Sequence, residues 1–190
     1  MIDIEAWGTT PGCAIASIGA AFFDPFEDYS DDIPTIPMFY RNVSLDSCLH
    51  AGLTIDESTV FWWMKQGEEA RQALSEPEPI SLSRAMKDLK DFYWTQKGQI
   101  GKKAIYTWSH GLTYDLPFLS YAAKKVNVQE PWMYQNCRDT RTLFDLAFAG
   151  KKPKFQDNDV KHHALYDSMT QIVQVQEAYR ALNLSKPKED

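Results

Sequence analysis

The sequence lacks the features that mark membrane, secreted and disulfide-stabilised proteins. No apolar run approaches the roughly 20 residues of a membrane-spanning helix, and the N-terminus lacks the basic and then apolar pattern of a signal peptide. The three cysteines are odd in number and form no Cys-x-x-Cys pair, which argues against a disulfide framework and a zinc site. We therefore expect a cytoplasmic protein without a membrane partner.

Positive charge is also scarce, because 26 acidic residues outnumber 20 basic ones and give a net charge of -6. Proteins that hold duplex nucleic acid on a broad basic face have the opposite balance. A short single strand in a local groove is still compatible with this charge, since base stacking supplies much of the affinity there. Many basic residues fall in the second half of the chain, where they form either a positive strip or an ordinary solvated face.

The chain has the length and composition of one α/β domain, which we place at residues 1–184, with a polar tail at 185–190. Apolar runs predict four strands, of which the first three form an antiparallel meander: 1–5, 13–23, 38–43 and 104–108. Helical patterns begin at Thr59, with a break at Gly67, and at Ser81, ending at 98–101. Further helices are predicted at 115–126, 140–148 and 164–182.

Four carboxylates stand at the edges of these apolar runs. Asp3 and Glu5 are two residues apart, so in a strand they project from the same face. Asp115 opens a helix that follows the fourth strand, and Asp167 lies in the last helix. Since such segments can meet at one sheet edge, we expect the four side chains to bind two divalent cations such as Mg²⁺ against a phosphodiester.

A histidine lies five residues before the last of these carboxylates. Five helical residues advance about 140° past a full turn, so the side chains of His162 and Asp167 would diverge if both were helical. We therefore predict that His162 precedes the helix and takes a proton from attacking water near neutral pH. His163 is the rival candidate, and a structural or capping role is the alternative for a histidine at this position.

Together these segments resemble the three motifs of the DEDDh 3′-5′ exonucleases of the DnaQ-like superfamily. The motifs are Asp3-Ile4-Glu5, Tyr114-Asp115, and His162 followed by Asp167. Three further segments are similar to a bacterial and phage branch that includes exoribonucleases: 58–63, 111–115 and 138–142. The resemblance implies an RNase H-like fold with a five-stranded mixed sheet flanked by helices. It also implies two Mg²⁺ or Mn²⁺ ions and release of 5′-mononucleotides from single-stranded 3′ ends of RNA or DNA.

The resemblance also assigns roles to individual residues. It makes His162 the general base and gives the metal ligands as Asp3, Glu5, Asp115 and Asp167. Ala6 and Trp7 follow the first motif, where superfamily members commonly hold the 3′-terminal nucleotide. Trp7 therefore either stacks on a base or packs into the core. Members of this branch are often dimers, so a homodimer is also expected.

Two further pairs of residues are candidates for substrate contacts. Trp62 and Trp63 point about 100° apart on a helix, so we assign Trp62 to the substrate and Trp63 to the core. Arg138 and Arg141 either bind phosphate through their forked donors or form structural salt bridges. The resulting hypothesis is a metal-dependent 3′-5′ exonuclease. The alternatives are a catalytically silent nucleic-acid-binding or recombination accessory module, and a structural protein that binds a partner through its acidic surface.

Overall fold

Three strands form an antiparallel meander that carries the first acidic motif. The computed structural model describes residues 1–27, 29, 36–149, 151 and 162–186. Strand β1 (Ile2–Ala6) pairs with β2 (Ile15–Ala21), and β2 pairs with β3 (Met38–Asn42). Both pairings are antiparallel, and the strand order is β1-β2-β3, which confirms the predicted meander.

The side chains of β1 alternate between the core and the site. Ile2, Ile4 and Ala6 are buried, whereas Asp3 and Glu5 are only partly buried on the opposite face. This alternation is the period of two that a strand imposes. It confirms that the two carboxylates share one face of the strand.

The remaining strands form a second, smaller sheet. Strand β4 (Thr107–Ser109) pairs in parallel with β5 (Cys137–Asp139). Cα atoms of β1 and β4 approach within 8 Å, but the hydrogen-bonded ladders divide the described strands into sheets of three and two. The α/β class with mixed strand directions is confirmed, whereas the single five-stranded sheet is not what the described residues form. Strands β4 and β5 have only three residues each, and among the described residues no ladder joins either of them to β1.

Seven α-helices complete the described part of the chain. They are α1 (Leu45–His50), α2 (Glu57–Met64), α3 (Glu68–Gln72), α4 (Leu82–Ile100), α5 (Asp115–Lys125), α6 (Thr140–Phe148) and α7 (Ala164–Ala181). Side chains of Ser44, Asp56, Ser81 and Asp139 accept hydrogen bonds at the N-termini of α1, α2, α4 and α6, which satisfies backbone donors there. The predicted break at Gly67 is confirmed between α2 and α3.

Two helix predictions differ from the structure. Helix α1 was not expected, because six residues are too few to show a helical period. Helix α4 runs through Gly98 to Ile100, beyond the expected end. A glycine inside a helix costs about 1 kcal/mol relative to alanine. A helix of 19 residues packed on the core tolerates that cost.

A glycine in β2 determines how closely the last helix approaches the sheet. A Cβ atom on Gly19 would lie 2.3 Å from backbone atoms of Ala164 and Leu165 in α7. The hydroxyl of Ser168 donates a hydrogen bond of 3.4 Å to the Gly19 carbonyl, which ties the helix to this point. Because Gly19 is the register partner of Asp3, the start of α7 is held beside Asp3.

The C-terminal region only partly overlaps the described residues. Residues 187–190 of the predicted tail lie outside them, while Ser185 and Lys186 follow α7 as exposed, irregular backbone. Lys186 Nζ forms an ion pair of 2.8 Å with Asp24 Oδ2. Among the described helices, none has the length and apolar character needed to cross a membrane.

Candidate active site

Three carboxylates meet where β1 faces the first turn of α7. One carboxylate oxygen from each of Asp3, Glu5 and Asp167 lies within 4.8 Å of the other two. The strand period places Asp3 and Glu5 on one face, and the close approach at Gly19 brings Asp167 over that face. We call these three residues the acidic cluster.

Asp115, at the start of α5, contacts the same part of β1. It is 3% exposed at the first position of α5, and its Oδ1 accepts a hydrogen bond of 3.3 Å from the backbone N–H of Ile4. Ile4 stands between Asp3 and Glu5 in the strand. The hydroxyl of Tyr114 donates to the Gly8 carbonyl at 3.1 Å, which fixes the start of α5 beside β1. The structure therefore brings all four predicted metal ligands to one region.

Burial raises the pKa values of these four carboxyl groups, and repulsion by neighbouring carboxylates adds to the shift for Asp3 and Glu5. Burial, followed by the charges of Asp167 and Asp115, raises the pKa of Glu5 to about 8. Burial and the other three carboxylates raise the pKa of Asp3 well above its ordinary value. Burial raises the pKa of Asp115 to about 7, although the backbone N–H of Ile4 and the charge of Arg141 lower it.

The pKa of Asp167 is also raised. Burial raises the pKa of Asp167 to about 6, and hydrogen bonds from the backbone of His163 and His162 oppose the shift. The backbone of both histidines therefore lies at the Asp167 carboxylate.

The acidic cluster fits a hard divalent cation. Carboxylate oxygens are the donors that Mg²⁺ and Mn²⁺ take in proteins. The ion pairs found among the described residues include none of Asp3, Glu5 and Asp167. Partly buried like charges without basic partners are unfavourable, and a bound cation offsets their repulsion.

His162 lies outside α7, as predicted, and packs on two tryptophans. Its backbone has a positive φ of 62°, and the helix begins two residues later at Ala164. The His162 ring lies edge-on to Trp62, with centroids 4.7 Å apart, and to Trp63, with centroids 6.1 Å apart. Trp63 Nε1 donates a hydrogen bond of 3.1 Å to the carbonyl of Ala6. The tryptophans thus connect His162 to the end of β1.

His163 has a different environment. Its ring stacks on Tyr40 and packs against Tyr166, with centroids 4.3 Å away in each case. Its Nδ1 atom is buried and makes no hydrogen bond within the described part of the chain. Burial lowers the pKa of His163. These contacts make His163 an anchor for the start of α7.

The predicted substrate residues near β1 are divided between the surface and the core. Trp62 is 40% exposed and Trp63 is 3% exposed, which confirms that Trp63 belongs to the core. Trp7 is partly buried, and its ring centroid lies 6.3 Å from that of Trp63. Ala6 is buried and its carbonyl is bound by Trp63. Of these residues, Trp62 offers the largest exposed ring.

The structure separates the two predicted arginines. The guanidinium of Arg141 lies 3.5 Å from the position that a Cβ on Gly111 would take, and its charge acts on Asp115. Arg138 donates at 2.9 Å to the carbonyls of Gln135 and Cys137, and its guanidinium carbon lies 4.4 Å from the ring centroid of Tyr106. Arg141 therefore borders the carboxylates, and the described contacts of Arg138 are structural. Neither is in an ion pair of the described residues.

Gln171 belongs to the site but to none of the sequence motifs. Its Nε2 donates a hydrogen bond of 2.8 Å to Asp3 Oδ1. Residues four apart on a helix share one face, so Gln171 follows Asp167 toward β1. This spacing is the signal that could have identified Gln171 from the sequence.

Comparison with known proteins identifies a family for this chain. A family model described as the 3′-5′ exoribonuclease Rv2179c-like domain matches residues 1–179. The matched range contains the four carboxylates, both histidines and Gln171. No curated protein matches the chain.

Proposed function

The chain belongs to the Rv2179c-like 3′-5′ exoribonuclease domain family, and from this premise we propose that it is a metal-dependent 3′-5′ exonuclease. It shortens single-stranded nucleic acid from the 3′ end and releases 5′-mononucleotides. RNA is the first substrate to test, because the family is described by its exoribonuclease activity. The fold that goes with this proposal is RNase H-like. The observation that carries it is the approach of three carboxylates within 4.8 Å of one another.

Four carboxylates would hold the cations in this proposal. The acidic cluster of Asp3, Glu5 and Asp167 provides three ligands, and Asp115 stands beside it at Ile4. Two Mg²⁺ or Mn²⁺ ions bound there would stabilise the attacking and leaving oxygens of the displacement.

His162 is proposed as the general base. Its place before α7 leaves the ring outside the helix, and its backbone lies at the Asp167 carboxylate. The imidazole accepts a proton from the attacking water, a role that suits histidine near neutral pH. The edge contact with Trp62 holds the ring in position while it does so.

The substrate strand is held by a small set of side chains in this proposal. The exposed ring of Trp62 stacks on a base. The partly buried Trp7 and the backbone of Ala6 lie next to the 3′-terminal nucleotide. Arg141 contacts a phosphate near Asp115. The contacts of Arg138 with Tyr106 and with two backbone carbonyls favour a structural role for that residue, but not through the salt bridge considered from the sequence. Binding through these few side chains needs no broad basic face and is therefore compatible with the net charge of -6.

Three other expectations stay predictions. They are the single domain at residues 1–184, the cytoplasmic location and the homodimer. None of them is needed for the proposed reaction, because the acidic cluster and His162 come from one chain.

The proposed function is tested with a panel of labelled oligonucleotides. Single-stranded and double-stranded RNA and DNA, labelled at either end, are incubated with the protein in Mg²⁺, Mn²⁺ or chelator. We expect 5′-labelled single strands to shorten progressively and 3′-labelled strands to release labelled mononucleotide at once, in both cases only with a cation. Binding without any cleavage would instead support the catalytically silent accessory module.

A further inference from the structure

We propose that Gln171 is a positioning residue of the cation site, which holds the Asp3 carboxylate in the orientation that binds a cation. The inference rests on the proposed function, because it assumes that Asp3 is a ligand. Two residues on one face of α7 then serve the cation site. Asp167 supplies a ligand, and Gln171, one turn later, supplies the donor that orients Asp3.

The hydrogen bond between Gln171 and Asp3 is well placed for this role. Nε2 of Gln171 lies 2.8 Å from Oδ1 of Asp3, a distance that suits a hydrogen bond to a carboxylate. It is the one hydrogen bond that the Asp3 side chain makes within the described residues. Rotation of the Asp3 carboxylate is therefore restrained from α7 rather than from its own strand.

The other end of the amide indicates why a glutamine stands here. Gln171 is 8% exposed, and its Oε1 is buried without a hydrogen-bond partner among the described residues. A buried acceptor without a donor is unfavourable, and an apolar side chain would avoid that cost if packing alone mattered. Exchanging the amide ends would place Oε1 against the Asp3 carboxylate. The role of the glutamine is therefore the hydrogen bond that its Nε2 donates to Asp3.

A second buried glutamine in α7 shows the contrast. Gln176 is completely buried, its Nε2 donates at 3.0 Å to the Asp24 carbonyl, and its Oε1 accepts at 3.4 Å from the Tyr29 N–H. Both ends of its amide are satisfied by backbone groups away from the acidic cluster. Gln176 therefore offers a matched control for any loss of a buried amide from this helix.

Groups that hydrogen-bond to a metal ligand tune the affinity of the site. Loss of such a group typically reduces metal affinity or activity by about 10–100-fold. The substitution Gln171→Met keeps an unbranched side chain of similar length and removes the donor. Gln176→Met makes the same change at the control position.

The first test measures Mn²⁺ binding at pH 8 by calorimetry or by the electron paramagnetic resonance signal of free Mn²⁺. We expect Gln171→Met to bind Mn²⁺ about 10–100-fold more weakly than the wild type. Gln176→Met should bind as the wild type does. In activity assays, Gln171→Met should need more cation to reach half of its maximal rate, with KM for the oligonucleotide unchanged at saturating cation.

Equal Mn²⁺ affinity of Gln171→Met and the wild type would overturn the inference and leave the proposed function standing. Failure of the wild type to bind Mn²⁺ would instead overturn the proposed function. A second measurement needs no variant. Titration of the ¹⁵N-labelled wild type with Mg²⁺ should shift the side-chain amide resonances of Gln171 and leave those of Gln176 in place. Unshifted Gln171 resonances at Mg²⁺ saturation would also overturn the inference.

Discussion

The ring of Trp62 lies edge-on to the ring of His162, with centroids 4.7 Å apart and planes inclined by 76°. Trp62 belongs to α2, which is far in sequence from the residues that precede α7. Nε1 of the neighbouring Trp63 donates a hydrogen bond to the Ala6 carbonyl at the end of β1. One pair of tryptophans therefore links the first acidic motif to the histidine of the last.

Trp62→Ala should reduce turnover because it removes both the support of His162 and an exposed stacking surface. An aromatic edge contact contributes about 0.5–1.5 kcal/mol, so we expect kcat to fall about 2–13-fold. KM for the oligonucleotide should rise as well, since a base stack is lost. Steady-state kinetics on a labelled single strand measures both constants. Trp62→Phe should recover much of kcat.

Trp94→Ala is the control for this substitution. Trp94 is 51% exposed in α4, and its ring packs against Tyr93 rather than against a histidine. It should leave kcat and KM unchanged. Equal losses in Trp62→Ala and Trp94→Ala would show that a general effect of tryptophan removal, and not the His162 contact, is responsible.

His162→Ala should slow the reaction without removing the cations. A general base contributes roughly 10²–10⁴-fold to a rate, and the carboxylates of the acidic cluster are unchanged by the substitution. The Mn²⁺ affinity of His162→Ala should therefore equal that of the wild type, while its rate of mononucleotide release falls. An unaltered rate would exclude His162 as the base. His163→Ala should instead lower the melting temperature, because it removes the stack on Tyr40.

Gly19→Ala should destabilise the protein and displace the Asp167 ligand. The added Cβ would lie 2.3 Å from the backbone of Ala164 and Leu165, and overpacking of this kind costs about 1–3 kcal/mol. Thermal unfolding and Mn²⁺ binding measure the two effects. Gly98→Ala is the control, since no atom lies within 4 Å of the added Cβ and the site is in a helix. It should stabilise the protein slightly. A Gly19→Ala protein with unchanged stability and affinity would argue against the close contact.

Without cations, stability should fall as the pH rises from about 5 to about 8. The pKa values of Asp167, Asp115 and Glu5 are raised to about 6, 7 and 8 in the folded protein. The unfolded chain has ordinary, lower pKa values, so the folded state binds more protons in this range and loses stability as they dissociate. Melting temperatures in chelator measure the effect, and each kcal/mol corresponds to about 2–4 °C for a chain of this size.

Saturating Mg²⁺ should reverse this trend, because the cation replaces the protons that the carboxylates lose. The increase in melting temperature on adding Mg²⁺ should be larger at pH 8 than at pH 5.5. Asp3→Asn removes one of the repelling charges and should flatten the pH dependence in chelator. A melting temperature in chelator that rises steadily from pH 5.5 to pH 8 would be inconsistent with the raised pKa values of these carboxyl groups.

The sequence was sufficient for features that depend on local periods. The alternation of β1 placed Asp3 and Glu5 on one face, and the helical period placed His162 before α7. The meander and the break at Gly67 also follow from local patterns. These features need no knowledge of which distant segments touch.

Features that depend on short elements or long-range contacts did not follow from the sequence. Strand β5 consists of Cys137–Asp139, whose three residues show no apolar alternation, so the division into two sheets is visible only in the structure. The different surroundings of Arg138 and Arg141 likewise depend on Tyr106 and Gly111. Gln171 joins the site through a contact with Asp3 that spans 168 positions in the sequence.

The most direct test of the central claim compares the digestion of 5′-labelled single-stranded RNA in Mg²⁺ by the wild type, Asp167→Asn and Asp145→Asn. Asp145 is an exposed aspartate of α6 outside the acidic cluster. If the cluster binds the catalytic cations, the wild type and Asp145→Asn shorten the RNA from its 3′ end at equal rates. Asp167→Asn then leaves the RNA intact while remaining folded. Digestion by Asp167→Asn at the wild-type rate would contradict the assignment.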